Sequence, residues 1–121
     1  MKQLHFLLIL LFVTSAALYA QTVIPPDSAK NYVDKQVTVT GVVDQVHLTD
    51  TGTYFLNMDG KFPDNTFTAV IFSKDSSAFT NIKSFEGKDV AVTGTITDYK
   101  GSPEIILKSY NQIKIMKVRP E

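Results

Sequence analysis

One heptapeptide occurs twice in this chain, and it restricts the possible folds more than any other feature. Lys35–Gly41 reads KQVTVTG and Lys88–Gly94 reads KDVAVTG, so both follow Lys-x-Val-x-Val-Thr-Gly, and each runs on into a β-branched residue. Valine at alternate positions, with small or polar residues between, has the period of a strand buried on one face. The closing glycine permits a sharp kink or bulge, which a sheet needs where it closes on itself. Two copies make no repeat array. They are two strands with the same structural task, each bent at a glycine.

The rest of the chain fits around these strands. After the first copy the apolar phase shifts: Val37, Val39 and Val43 are odd, Val46 and Leu48 even, as a one-residue bulge in a strand from Lys35 to Leu48 produces. Thr49–Gly52 is a hairpin loop. Thr53–Met58 is a second strand whose buried face is ambiguous, because Tyr54, Phe55, Leu56 and Met58 are all apolar. Asp59-Gly60 turns the chain, Lys61–Asn65 lengthens that turn, and Thr66–Phe72 is a third strand. Asp75-Ser76-Ser77 starts a short helix reaching about Ile82. The second copy then leads through Ile96 into a turn at Tyr99–Pro103, and Glu104–Leu107 returns as the fifth strand. Tyr110–Val118 alternates again and is expected to pair at an edge or fray.

Two segments precede this domain. Residues 1–20 carry Lys2, an apolar run from Phe6 to Val13 and a small-residue exit at Ala16–Ala20, the pattern of a secretory signal peptide. The run falls short of the ~20 predominantly apolar residues a transmembrane helix needs. Cleavage is expected after Ala20, with no stable membrane insertion afterwards and no cysteine to carry a lipid. The protein is therefore expected to be exported, to the periplasm or beyond the cell. In residues 21–34, Pro25-Pro26 is stiff, and Ala29, Tyr32 and Val33 share a face of a short helix suited to plugging a barrel end. Residues 35–118 form the main domain. With no cysteine in the chain, sheet closure and core packing must stabilise it without disulfides.

Strand, strand, strand, helix, strand, strand is the order of an all-β, five-stranded Greek-key OB-fold barrel. A small sandwich is the competing architecture, but it does not explain the paired glycine bends. Gly87–Ile105, GKDVAVTGTITDYKGSPEI, resembles the last hairpin of the OB-fold nucleic-acid-binding group of tRNA anticodon-binding and helicase-associated domains, especially its small secreted bacterial members. AKNYVDKQVTVTGVV and TYFLNMDGKFPDNTFTAVIF fit the same pattern, so the resemblance spans nearly all of the chain after residue 20. Its most specific part is Tyr99, Gly101, Pro103, Glu104 and Ile105. One departure is Asp34, where relatives usually carry glycine; aspartate tolerates a left-handed backbone at modest cost.

The resemblance implies a ligand lying across the second and third strands, between the first and last hairpin loops. Single strands are held on such a surface by aromatic platforms and cations. The candidate contacts are Tyr54, Phe62 and Tyr99 for stacking, Lys61, Lys74 and Lys100 for phosphate, and Asn57 and Thr68 for polar base edges. Phe55, Phe67, Phe72, Phe79 and Phe85 are expected in the core.

Charge argues against tight binding. The chain has 12 basic and 12 acidic residues; without Lys2 the basic count is 11 and the net charge −1. Phosphate neutralisation needs a surplus of cations, and the only arginine is Arg119. Binding of single-stranded or structured nucleic acid is expected to be weak and strongly salt-dependent unless lysines cluster in space. The alternative is a periplasmic module for an envelope protein or small ligand. No enzyme is expected. Nuclease chemistry on such a barrel asks for arginines and carboxylates around a metal. His47 has no His or Cys at ligand spacing, and the Asp59, Asp64, Asn65 turn fits no calcium loop, so neither cofactor nor metal is expected.

Overall fold

The computed structural model describes residues 21–116. The expected signal peptide at 1–20 lies outside the described residues, as do residues 117–121 with Arg119. Among the described residues eight strands form one mixed sheet: β1 (Val23–Ile24), β2 (Gln36–Leu48), β3 (Tyr54–Met58), β4 (Phe67–Ile71), β5 (Asp89–Thr95), β6 (Thr97–Tyr99), β7 (Ser102–Ile106) and β8 (Ile113–Ile115). They lie in the order β6–β7–β4–β3–β2–β5–β8, with β1 parallel against β2. The all-β expectation holds; the count of five strands does not. Two of the additional strands are the short edge pieces β1 and β8, the latter part of the alternating C-terminal segment. The third arises because the fourth strand divides at Ile96, a fully buried residue bridged to Val33, so β5 pairs with β2 while β6 pairs with β7.

The two heptapeptides lie side by side. β2 and β5 are antiparallel, with Val37 opposite Gly94, Val39 opposite Val92 and Gly41 opposite Val90. Both glycines are required by close approach rather than by φ. A Cβ on Gly94 would sit 2.6 Å from Ile105 Cγ2, and one on Gly41 would sit 2.8 Å from Pro26 Cγ. The predicted bulge is present: the β2–β3 register shifts between Val43 and Gln45, leaving Asp44 as the extra residue. Its carboxylate accepts the Gly60 N–H at 2.6 Å, tying the bulge to the turn after β3.

Val37, Val39, Val43, Leu56, Met58, Phe67, Ile71, Val90, Val92, Ile96, Ile105 and Leu107 form the core, each no more than 1% exposed. Phe79 and Phe85 are buried as expected, whereas Phe72 is 39% exposed. The helices are shorter than the sequence suggests. The N-terminal one is a 3-10 helix, Pro26–Asn31, which buries Pro26 and Ala29 and leaves Val33 exposed. The expected helix after the third strand is two 3-10 turns, Ser73–Ala78 and Ile82–Phe85, separated by Asn81 in the left-handed region at φ 56°. Asp34 is also left-handed, at φ 67°.

Candidate binding cleft

Strand alternation selects the outward face. In β3, Leu56 and Met58 enter the core and Tyr54 packs against it, so Phe55 and Asn57 point the other way. Past the bulge, Gln45 and His47 of β2 join them. A single cross-strand row results: Gln45 pairs with Asn57, Asn57 with Thr68 of β4, and Thr68 with Glu104 of β7. Beside this row the His47 and Phe55 rings lie nearly parallel, 10° apart with centroids separated by 6.4 Å.

Two loops wall this face. The first carries Phe62 and Pro63, joined by a cis peptide. The second is the β6–β7 hairpin, in which Lys100 at φ 50° and Gly101 at φ 87° make the mirror-image two-residue turn that suits the twist of paired strands. Phe62 is 76% exposed and Tyr99 59% exposed, so both rings face solvent. The Lys100 ammonium lies 5.4 Å from the centroid of the Tyr99 ring. Between the walls is a cavity of about 520 Å³, floored by the polar row and lined by Phe55, Phe62, Tyr99 and Lys100 among others.

The floor is a hydrogen-bonded network. Gln45 Oε1 accepts from Asn57 Nδ2 at 2.9 Å and from the Phe62 N–H at 3.0 Å. Asn57 Oδ1 accepts from the Thr68 hydroxyl at 3.0 Å and from Asn65 Nδ2 at 3.3 Å. Asn65 Nδ2 also donates to Thr68 Oγ1 at 2.7 Å and to the Phe67 carbonyl at 3.2 Å. Asn57 and Thr68 are buried, so these bonds satisfy groups that would otherwise be costly to desolvate. They also clamp the Phe62 loop to the sheet from both ends, fixing one wall of the cleft.

Electrostatically the cleft is close to balanced. Among the described residues, Lys100 is its one lysine and Glu104 its one carboxylate. Burial pushes the Glu104 carboxyl above the ordinary range. Thr68, its neighbour in the row, donates its hydroxyl proton to Asn57 and has none left for Glu104.

Of the residues singled out from sequence, the structure gathers Asn57, Phe62, Thr68, Tyr99 and Lys100 around one cavity. Tyr54 stands apart, packed against the core and lining a separate 320 Å³ hollow beside Ser76, Phe79 and Lys83. Lys61 and Lys74 are exposed and outside the cleft. Asn57 and Thr68 are engaged mainly with protein partners. Phe55, expected in the core, is half-buried and lines the cleft instead; the face of β3 could not be told from sequence because Tyr54, Phe55, Leu56 and Met58 are all apolar. Gln45, His47, Asn65 and Glu104 were missed. The phase change after Gly41, followed to the end of the strand, already places Gln45 and His47 outward.

No protein-family model and no curated protein matches the chain. Solved structures share its fold. An asparaginyl-tRNA synthetase from Entamoeba histolytica superposes with a TM-score of 0.56 at 17% identity over 84% of this chain. The OBody AM1L10, solved bound to hen egg-white lysozyme, gives 0.55 at 15% identity over 84% of this chain and 100% of its own. The S. pombe Stn1-Ten1 complex gives 0.52 at 15% identity over 69% of this chain and 59% of the other. The chain spans only 24% of the synthetase's length. At such identities the likeness is one of fold, that of OB-fold domains.

Proposed function

We propose that this chain is an exported OB-fold module that binds single-stranded nucleic acid in the cleft between the Phe62 loop and the Tyr99 hairpin. The observation that carries this reading is the pair of solvent-facing rings, Phe62 and Tyr99, on opposite walls above a polar floor. Base faces stack on aromatic side chains whatever the sequence, and a nearby cation follows the backbone. Phe62, Tyr99 and Phe55 are the stacking surfaces and Lys100 the phosphate contact. On this reading β5 and β6 act as one bent strand that joins β2 to β7, which makes the sheet a five-stranded Greek-key barrel. The polar floor positions the walls, and no catalytic role is assigned to any residue.

The fold neighbours support this reading by analogy: their names include a tRNA synthetase and the Stn1-Ten1 complex. With one lysine in the cleft, affinity rests on stacking more than on charge. A second reading, a module for an envelope protein, is favoured by the near-neutral cleft and by the OBody neighbour bound to lysozyme. Fluorescence anisotropy with a labelled single-stranded oligonucleotide separates the two. Binding that weakens on Tyr99→Ala supports the first reading, whereas no binding even at very low ionic strength rejects it in favour of the second.

A further inference from the structure

The polar row across the cleft is complete at one end and open at the other. Gln45, Asn57 and Thr68 are joined by hydrogen bonds, and Asn65 closes the group from the loop. Glu104 continues the row through its register with Thr68 but takes no part in that network. Its backbone carbonyl accepts from Thr97 Oγ1 at 3.4 Å, while the carboxylate faces the cleft and receives no hydrogen bond from the described residues. A half-buried carboxylate without a donor is costly, and its raised pKa reflects that cost. In a folded protein such a group is a candidate for use by a ligand.

The surroundings narrow the choice of ligand. Tyr99 pairs with Ser102, and Thr97 with Glu104, so Tyr99 and Glu104 are diagonal neighbours on one face of the hairpin. Residues so related lie ~7–8 Å apart, within reach of an aromatic side chain. A base stacked on Tyr99 therefore turns one edge towards Glu104. An ionised carboxylate can only accept hydrogen bonds, and it accepts two side by side. On its pairing edge guanine presents two adjacent donors, N1–H and the N2 amine. Adenine and cytosine present one donor beside an acceptor, and uracil one donor between two acceptors.

We propose that Glu104 makes the cleft selective for guanine, accepting the N1–H and N2–H donors of a base stacked on Tyr99. This rests on the single-strand reading above and adds a base identity to it. Gln45 Oε1 and Asn57 Oδ1 already accept from protein donors, which leaves the Glu104 carboxylate as the charged acceptor that the described residues offer a base.

The test uses short labelled oligouridylates carrying one central guanine, inosine or adenine, with affinities read by fluorescence anisotropy for the wild-type protein and Glu104→Gln. The guanine strand is expected to bind about tenfold more tightly than the adenine strand, as a good bidentate contact implies. Inosine, which lacks the N2 amine, should fall between them. Glu104→Gln is nearly isosteric and should reduce the guanine advantage to less than about twofold, while adenine affinity is held by the unchanged stacking surfaces. Equal affinity for guanine and adenine in the wild type overturns this inference and leaves the stacking reading intact. A guanine preference that survives Glu104→Gln removes Glu104 from the role. Absence of binding by all three strands at low salt overturns both readings together.

Discussion

Val39 and Val92 stand directly opposite one another in the β2–β5 ladder, both fully buried, each the fifth residue of its heptapeptide. About this pair the copies are related by a local two-fold, since Val37 meets Gly94 just as Val90 meets Gly41. An antiparallel ladder has this symmetry built into it, so one sequence can serve both partners. The repeated motif therefore marks two strands that are partners in one ladder.

Shortening either valine removes two buried methyl groups from a close-packed centre. Val39→Ala and Val92→Ala are each expected to destabilise the fold by about 2 kcal/mol in urea unfolding. Because the two residues are directly opposed in one core, the double mutant should deviate measurably from the sum of the singles. Strict additivity would show that the pair does not share a packing environment.

Gly94 separates steric need from backbone freedom. A methyl group there meets the buried Ile105 side chain at 2.6 Å, so Gly94→Ala should cost about 1–3 kcal/mol. Gly101 has open space around its Cα but φ 87°, so Gly101→Ala should cost about 1 kcal/mol through backbone strain alone. Thermal or urea unfolding of both variants checks the order; a Gly94→Ala protein as stable as wild type would contradict the close approach.

The exposed rings should matter for binding and little for stability. Tyr99→Ala and Phe62→Ala are each expected to weaken oligonucleotide affinity by about tenfold, given ~1–3 kcal/mol per stacked base, with unfolding midpoints barely changed. Tyr54→Ala should do the reverse, because its ring packs against the core. Anisotropy titrations and unfolding curves on the same three proteins give the comparison.

The sequence led to an expectation of strong salt dependence, and the structure lowers it. Among the described residues only Lys100 brings a cation to the cleft, since Lys61 and Lys74 lie elsewhere. Each neutralised phosphate on a single strand contributes a slope of roughly −0.7 in log affinity against log salt. The slope should therefore stay near −1 or shallower and approach zero in Lys100→Ala. A steep slope would point to a second cationic contact.

Glu104 links binding to stability. Its folded-state pKa is raised, so the folded chain holds the proton more tightly than the unfolded chain. Stability on this account falls as pH rises from the unfolded carboxyl pKa through the higher folded one. Glu104→Gln, which cannot ionise, should be more stable than wild type at neutral pH. The difference should vanish in acid, below the ordinary carboxylate range. Melting temperatures at both ends of that range test the sign.

Much of the architecture was legible because strand periodicity is local. The alternating valines identified β2 and β5, the odd-to-even phase change signalled a bulge after Gly41 that the structure puts at Asp44, and Asp34 does adopt a left-handed backbone. The helices were read too long, since Asn81 in the left-handed region breaks a run whose apolar spacing looked continuous. The face of β3 was illegible for a related reason: four apolar residues carry no alternation, and only burial against Met58 and Leu56 decides that Tyr54 turns inward and Phe55 outward.

By itself the sequence determined the all-β character, the two valine-patterned strands and the loop that carries Tyr99 and Lys100, because these follow from side-chain period and turn chemistry over a few neighbouring residues. The tertiary structure alone decided that the two heptapeptides are partners, that Gln45, Asn57, Thr68 and Glu104 line up across four strands, and that Glu104 ends that row without a donor among the described residues. Register is the physical reason. It is set by the packing of the whole sheet, and residues 59 positions apart become neighbours only when every strand between them is in place.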